Sequence, residues 1–73
     1  MSMCLAIPAK VLQVEFPYAT VSLGGAKRKV RVDLLDDIKP GDYVLVHVGL
    51  AIQKISKEEA EEIERLWEEL LRE

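Results

Sequence analysis

The stretch Tyr18-Ala-Thr-Val-Ser-Leu-Gly-Gly-Ala-Lys-Arg-Lys-Val-Arg-Val-Asp33 decides the fold of this chain. Two runs of alternating apolar and polar residues flank Gly24-Gly25. Paired glycines supply the positive φ that tight hairpin turns need. The stretch therefore predicts a β-hairpin with a two-residue loop over residues 18–33. The facing pairs expected from that loop are Leu23 with Ala26, Val21 with Arg28, and Ala19 with Val30.

The predicted hairpin separates its side chains into an apolar face and a polar face. The apolar face contains Ala19, Val21, Leu23, Ala26, Val30 and Val32. The polar face contains Tyr18, Thr20, Ser22, Lys27, Lys29 and Arg31. Only Arg28 falls on the apolar side, where its long stem near the hairpin tip can bring the charge to water. Because a slip of one residue would destroy this separation, the pattern fixes the register.

The segment before the hairpin predicts a further strand. Residues 4–16 are typical of extended chain with a break at Pro8. The second half alternates with the period of a half-buried strand, and its apolar positions are Leu12, Val14 and Phe16. Pro17 ends the strand, because a proline cannot donate a hydrogen bond into a central ladder.

Two more strands are predicted after the turn signal Pro40-Gly41. Residues 42–48 place Val44, Val46 and Val48 on one face, and Tyr43, Leu45 and His47 on the other. Both faces are largely apolar, which is typical of a strand that is covered on both sides or that offers one side to a partner. Gly49 interrupts this strand, and residues 51–55 predict a short last one.

The carboxyl-terminal segment predicts a helix over about residues 57–72. Ser56 and Glu59 match a capping box. The helix then has an apolar stripe within an arc of about 140°, formed by Ala60, Ile63, Leu66, Trp67, Leu70 and Leu71. The predicted fold is mainly β: a small OB-like antiparallel barrel of about five strands over residues 4–55, followed by this one helix.

The length of 73 residues predicts a single domain over residues 1–73. Such a chain has a thin core, which argues against a self-contained enzyme. Net charge is −3: residues 1–54 contribute +2, and residues 55–73, with eight Asp/Glu and three Lys/Arg, contribute −5. A lone cysteine forms no internal disulfide and fits a reducing, cytoplasmic compartment. No apolar run approaches the roughly 20 residues of a membrane span, and the first residues do not resemble a signal peptide.

Cys4, the single cysteine, lies near the amino end of the chain. An accessible thiolate is a nucleophile or a soft metal ligand. A closed tetrahedral site commonly needs four cysteine or histidine ligands, whereas this chain has Cys4 and His47. Cys4 could supply one ligand that is shared with a partner, with His47 as a weaker second candidate. The alternatives remain open that Cys4 is a core thiol and His47 a hydrogen-bonded structural residue.

Other function classes have less support in the sequence. Cys4 and His47 would be a dyad without a third, orienting group, and Gly24-Gly25 does not match a phosphate-binding loop. A single-stranded nucleic-acid module is the main alternative, since OB-type barrels use basic grooves and stacked aromatics. Its surface would comprise Tyr18, Lys27, Lys29 and Arg31. An adaptor that docks through the Trp67 stripe is a further alternative.

Two blocks of the sequence resemble those of one family. The segment Met3-Cys4-Leu5-Ala6-Ile7-Pro8-Ala9-Lys10-Val11 is similar to the amino-terminal signature of the HypC/HupF family of [NiFe]-hydrogenase maturation chaperones. The segment Gly41-Asp42-Tyr43-Val44-Leu45-Val46-His47-Val48-Gly49-Leu50-Ala51-Ile52 resembles the second marked segment of that family. The order and spacing of the blocks, the Gly-Gly hairpin and the terminal helix also agree, so the resemblance covers nearly the whole chain from Met3. It implies that Met1-Ser2, which precede this pattern, are an N-terminal extension.

The resemblance implies a chaperone that is not an enzyme and that helps to assemble the iron centre of a [NiFe] hydrogenase. The implied cargo is iron as Fe(CN)2CO, held transiently between this chain and a HypD-type iron–sulfur maturation protein. The implied later partner is the precursor of the hydrogenase large subunit; neither a membrane nor a nucleic acid is expected as a partner. Cys4 is the implied iron ligand, and His47 a less certain one. The implied partner-binding residues are Met3, Cys4, Leu5, Ala6, Ile7 and Pro8.

Overall fold

The computed structural model describes residues 6–71. These residues form five strands and one helix: β1 (Ile7–Glu15), β2 (Tyr18–Leu23), β3 (Ala26–Arg31), β4 (Tyr43–His47), β5 (Leu50–Ile55) and α1 (Lys57–Leu71). The strands close into a barrel in the order β1-β2-β3-β5-β4. The predicted mainly β fold with one C-terminal helix is confirmed. No helix in this part of the chain is long and apolar enough to span a membrane.

Four of the five ladders are antiparallel, and the one that closes the barrel is parallel. β1 pairs with both β2 and β4, and the hairpins β2–β3 and β4–β5 complete the antiparallel set. β3 and β5 run parallel and meet at the pair of Arg31 with Leu50. Because this closing ladder is so short, the first residues of β3 lie beside an opening in the barrel wall.

The β2–β3 hairpin has the register that its sequence predicts. Ala19 pairs with Val30, Val21 with Arg28, and Leu23 with Ala26. Gly24 and Gly25 have φ of 57° and 87°, which a two-residue turn of this kind needs. The core contains Ala19, Val21, Val30 and Val32, each at most 2% exposed. Leu23 is half-buried and Ala26 exposed, because they lie at the hairpin tip.

The side chains of β1 alternate differently from the prediction. Ala9 and Val11 are buried, whereas Leu12 and Phe16 are 38% and 70% exposed. The register with β2 shifts between Val11 and Gln13, and a bulge of one extra residue moves the following side chains to the other face. Val14 is therefore half-buried on the core side. The predicted break at Pro8 is also wrong, since Pro8 lies in the strand near its start, where proline is tolerated.

In β4, the predicted valine face is correct for two of its three members. Val44 and Val46 are buried, but Val48 is 88% exposed. Val48 and Gly49 form the two-residue turn to β5, with φ of 55° and 75°. Since the chain already reverses at Val48, that side chain leaves the sheet surface, and β5 begins at Leu50.

The helix begins with the predicted capping box. The backbone N–H of Ser56 donates to Glu59 Oε1 at 2.9 Å, and the Glu59 N–H donates to Ser56 Oγ at 3.0 Å. α1 packs on β1 and β4. Ala60 is buried, and Ile63 and Trp67 are half-buried. The remaining stripe residues, Leu66, Leu70 and Leu71, are 55%, 68% and 78% exposed, so the barrel covers only the first part of the apolar stripe.

Candidate functional site

The proposed ligand Cys4 lies outside the described residues, as do Met3 and Leu5. The remaining members of the predicted partner-binding segment lie where the chain enters the barrel. Ala6 is half-buried, Ile7 is 39% exposed, and Pro8 is among the fully buried side chains. Cys4 is three residues before Ile7, so covalent geometry keeps the two Cα atoms within about 11 Å of each other.

The pairing of β1 with β4 places His47 beside this entrance. Ile7 pairs with Val46, and His47 is the next residue and the last of β4. His47 is half-buried and lies on the face of β4 opposite Val44 and Val46. The structure thus places Ile7, three residues after Cys4, and the second predicted ligand, His47, at one end of the β1–β4 ladder. Sequence spacing does not reveal this proximity, because more than half of the chain separates the two residues.

A concave opening of about 280 Å³ lies on the core side of the same entrance. We call it the mouth groove. Its lining comprises Ile7, Leu23, Arg28, Lys29, Val30, Val46, Val48 and Gly49. Most of these residues are aliphatic, and two are basic, the exposed Arg28 and Lys29, so the mouth groove is a largely apolar surface with basic residues in its lining.

A second groove, of about 480 Å³, lies between the entrance and α1. We call it the helix groove, and its lining comprises Ile7, Pro8, Gly24, Glu64, Trp67, Glu68 and Leu71. Ile7 borders both grooves. Ile7 is therefore flanked by two concave apolar surfaces, and the stripe residues Trp67 and Leu71 contribute to one of them.

The basic face considered for nucleic-acid binding is largely engaged within the chain. Lys29 Nζ lies 5.7 Å from the centroid of the Tyr18 ring. Arg31 Nη2 donates to Asp33 Oδ2 at 2.6 Å. This hydrogen bond raises the pKa of Arg31 and lowers the pKa of Asp33. A stacked base would compete with Lys29 for the Tyr18 ring, and a phosphate would compete with Asp33 for Arg31.

Metal binding by this chain requires donors from elsewhere. Among residues 6–71, no group of three or more His, Asp or Glu side chains is arranged to hold a metal ion. Cys4 and His47 would add one thiolate and one imidazole. A closed four-ligand site would need further donors, and these must come from the partner or from non-protein ligands.

Sequence comparisons place the chain among proteins of hydrogenase maturation. The HupF/HypC family model matches residues 3–67. The hydrogenase maturation factor HypC of Cupriavidus necator is 46% identical over 71 residues, which cover 96% of this chain and 79% of that protein. HypC of Rhizobium leguminosarum bv. viciae is 51% identical over 81% of this chain and 80% of its own length. HypC of Helicobacter hepaticus is 42% identical over 94% and 83%, respectively. The matches span both sequence blocks, the barrel and most of the helix, and the chain belongs to the HupF/HypC family.

Proposed function

We propose that this chain is a hydrogenase maturation chaperone, which presents Cys4 as an iron ligand outside its barrel. It helps to assemble the Fe(CN)2CO unit on a complex with a HypD-type protein and delivers that unit to the precursor of the hydrogenase large subunit. The observation that supports this proposal most is the pairing of Ile7 with Val46, which places Ile7, three residues after Cys4, at the end of the barrel where His47 and both apolar grooves lie.

The donor set of the chain suits a transient cargo. A thiolate is a soft ligand that binds iron well, and cyanide and carbon monoxide fill coordination positions themselves. One thiolate from this chain can then hold the iron together with a ligand from the partner. A site that is open on the chaperone side allows one partner to be exchanged for another, which a closed cage of four protein ligands would hinder.

The helix groove is suited to contact with a protein partner. Trp67 and the exposed Leu71 give it an apolar lining, to which Glu64 and Glu68 add carboxylates, and residues 55–73 contain eight glutamates. An apolar patch with an acidic rim fits a partner surface in which aliphatic side chains are framed by Lys or Arg. Docking at this groove would place the partner beside Ile7, and hence within reach of Cys4. We expect this exchange to occur in the cytoplasm, where the thiol remains reduced.

Hydrogenase activity in a strain that lacks its own copy of this protein tests the proposal. Cys4→Ala should retain the fold, as checked by its melting temperature, and abolish hydrogenase maturation, because it removes the proposed iron ligand. Ser2→Ala is the matched control, since it changes the same segment without removing a ligand, and it should support full activity. Normal hydrogenase activity with Cys4→Ala would contradict the proposal.

A further inference from the structure

β3 has one edge that is mostly unpaired. Its other edge pairs with β2 along the whole strand, from Ala26 to Arg31. On the side towards β5, Arg31 alone is paired among the residues that the structure describes, and it lies opposite Leu50. Because the chain reaches β5 at Leu50 through the turn from β4, β5 does not extend beside residues 26–30. We call this unpaired side of residues 26–30 the β3 edge.

Two hydrogen bonds determine which backbone groups point to the β3 edge. The N–H of Val32 donates to the turn before β2 at 2.8 Å, whereas the N–H of Arg31 donates to the Gly49 carbonyl at 3.0 Å, on the opposite side of the strand. The β2–β3 ladder has no bulge, so hydrogen-bonded and non-hydrogen-bonded pairs alternate along it. The backbone N–H and C=O groups of Lys27 and Lys29 therefore have the orientation of Arg31 and point to the β3 edge.

The two sides of the β3 edge differ in charge. Lys27 and Lys29 are exposed on the outer face of the sheet, opposite to the face of the buried Val30. Neither lysine forms an ion pair with another residue of the described part of the chain. The inner side adjoins the mouth groove, whose largely aliphatic lining includes Val30 and Val46. A strand beside this edge would have positive charge on one face and an apolar surface on the other.

We propose that the β3 edge binds an extended segment of a partner protein as an added strand, and that aliphatic and acidic residues alternate in this segment. Successive side chains of a strand point to opposite faces. The aliphatic side chains enter the mouth groove, and the acidic ones lie beside Lys27 and Lys29. In such strand addition, main-chain hydrogen bonds give affinity and pockets for alternate side chains give specificity.

The two lysines determine which kind of strand can pair here. Lysine on an edge strand hinders pairing between copies of one protein, because like charges directly opposite each other are destabilising. Opposite charges at the same positions are stabilising. The β3 edge thus disfavours a second copy of β3 and favours an acidic segment. This surface includes no residue before Ile7, and its occupation is independent of the proposed function.

Amide hydrogen exchange of the isolated protein, measured by NMR, tests the added strand. The probe is a short capped peptide in which valine and glutamate alternate. At about ten times its Kd, the peptide should slow exchange of the Lys27 and Lys29 amides by about tenfold. The Arg28 amide, which already faces β2, is the internal control and should change little. Unchanged exchange at Lys27 and Lys29 with millimolar peptide would overturn the proposal.

Exchange without the peptide tests the other occupants of the β3 edge. The Lys27 and Lys29 amides should exchange fast in the free protein, because no strand of the described chain covers them. Slow exchange that depends on protein concentration would show that a second copy occupies the edge. Slow exchange at every concentration would show that another part of the same chain covers it. Either result would overturn the proposal.

Charge reversal tests the chemistry of the partner segment. Lys27→Glu/Lys29→Glu should weaken binding of the valine–glutamate peptide by about tenfold or more, because two attractive cross-strand pairs become repulsive. A peptide in which valine alternates with lysine should bind the double variant better than the native protein. Lys39→Glu/Lys57→Glu is the matched control, since it makes the same change in net charge at exposed positions outside β3. An equal loss of affinity in the two double variants would overturn the proposal.

Discussion

Ile7 and Val46 face each other in the antiparallel β1–β4 ladder, and this pair fixes where the chain enters the barrel. Val46 is buried, whereas Ile7 is 39% exposed and borders both the mouth groove and the helix groove. The two sides of Ile7 therefore border two different surfaces. Ile7 lies between the mouth groove, whose lining includes Arg28, and the helix groove, whose lining includes Trp67.

His47 follows Val46 directly, and its replacement tests the predicted second ligand. We expect His47→Gln to fold, because the side chain is only half-buried at a strand end. As a ligand or as a hydrogen-bond partner of one, His47 should contribute about tenfold or more to iron retention. The measurement is the iron content of the complex captured with a HypD-type partner. Tyr43→Phe, a mild change on the same face of β4, is the control, and native iron content in His47→Gln would show that His47 is structural.

Val48 is a β-branched residue in the left-handed region of backbone conformation, with φ of 55°. A non-glycine residue loses roughly 1–2 kcal/mol there, and Asn tolerates the conformation better. Since Val48 is 88% exposed, its replacement removes little packing. We predict that Val48→Asn stabilises the protein by about 1 kcal/mol, which corresponds to about 4–8 °C in melting temperature for a domain of this size.

The control for this prediction is Val48→Thr. Threonine retains the branched Cβ and so the same conflict with a positive φ, and its melting temperature should match that of the native protein. If Val48→Asn melts at or below the native temperature, the backbone at this turn is not strained by Val48.

The capping box at the start of α1 should contribute measurably to stability. Ser56→Ala removes the hydroxyl that accepts from the Glu59 N–H at 3.0 Å, and loss of such a cap costs about 1 kcal/mol. Glu59→Gln is the matched control, because glutamine can still accept from the Ser56 N–H. Urea denaturation followed by far-UV circular dichroism measures both variants. Equal stability of Ser56→Ala and the native protein would mean that the helix does not depend on this cap.

The contact between Arg31 and Asp33 makes stability depend on pH in the acid range. The hydrogen bond from Arg31 lowers the pKa of Asp33 in the folded state. The Asp33 carboxyl group of the unfolded chain retains its ordinary pKa. The stabilisation of the folded state by this contact is therefore fully present above the ordinary pKa, and it is lost as the pH falls through the folded-state pKa of Asp33. In Arg31→Met, the pKa of Asp33 should rise towards its ordinary value of about 3.9.

An NMR titration of the Asp33 carboxyl group measures this shift. Lys39→Met removes a cation whose nearest carboxylate is on Asp37, so it should leave the pKa of Asp33 as in the native protein. A pKa of Asp33 that is the same in Arg31→Met and the native protein would rule out Arg31 as the cause.

The features that can be predicted from the sequence are those that depend on residues close together along the chain. The β2–β3 register follows from alternation around Gly24-Gly25, and the helix start follows from Ser56 and Glu59. The bulge after Val11 could not be predicted, because it depends on how β1 pairs with two strands at once. The exposure of Val48 could not be predicted either, because the turn to β5 begins at Val48, one residue before the Gly49 that marks it in the sequence.

The candidate site combines residues that are far apart in the sequence. The helix groove joins Ile7 to Trp67, and no local pattern indicates that contact. The apolar stripe that contains Trp67 can be predicted from the sequence, but the part of the stripe that the barrel covers cannot. Arg28 is detectable from sequence as the one charge on the apolar side of the hairpin, whereas its place in the mouth groove depends on the barrel.

The central claim is that Cys4 holds iron jointly with a partner, and the iron content of the captured complex tests it most directly. Native and Cys4→Ser proteins are used to capture a HypD-type partner, and the iron in each complex is measured beyond that of the partner alone. We predict additional iron with cyanide and carbonyl stretches in the native complex, and capture of the partner without that iron by Cys4→Ser. The same additional iron and the same stretches in both complexes would contradict the claim.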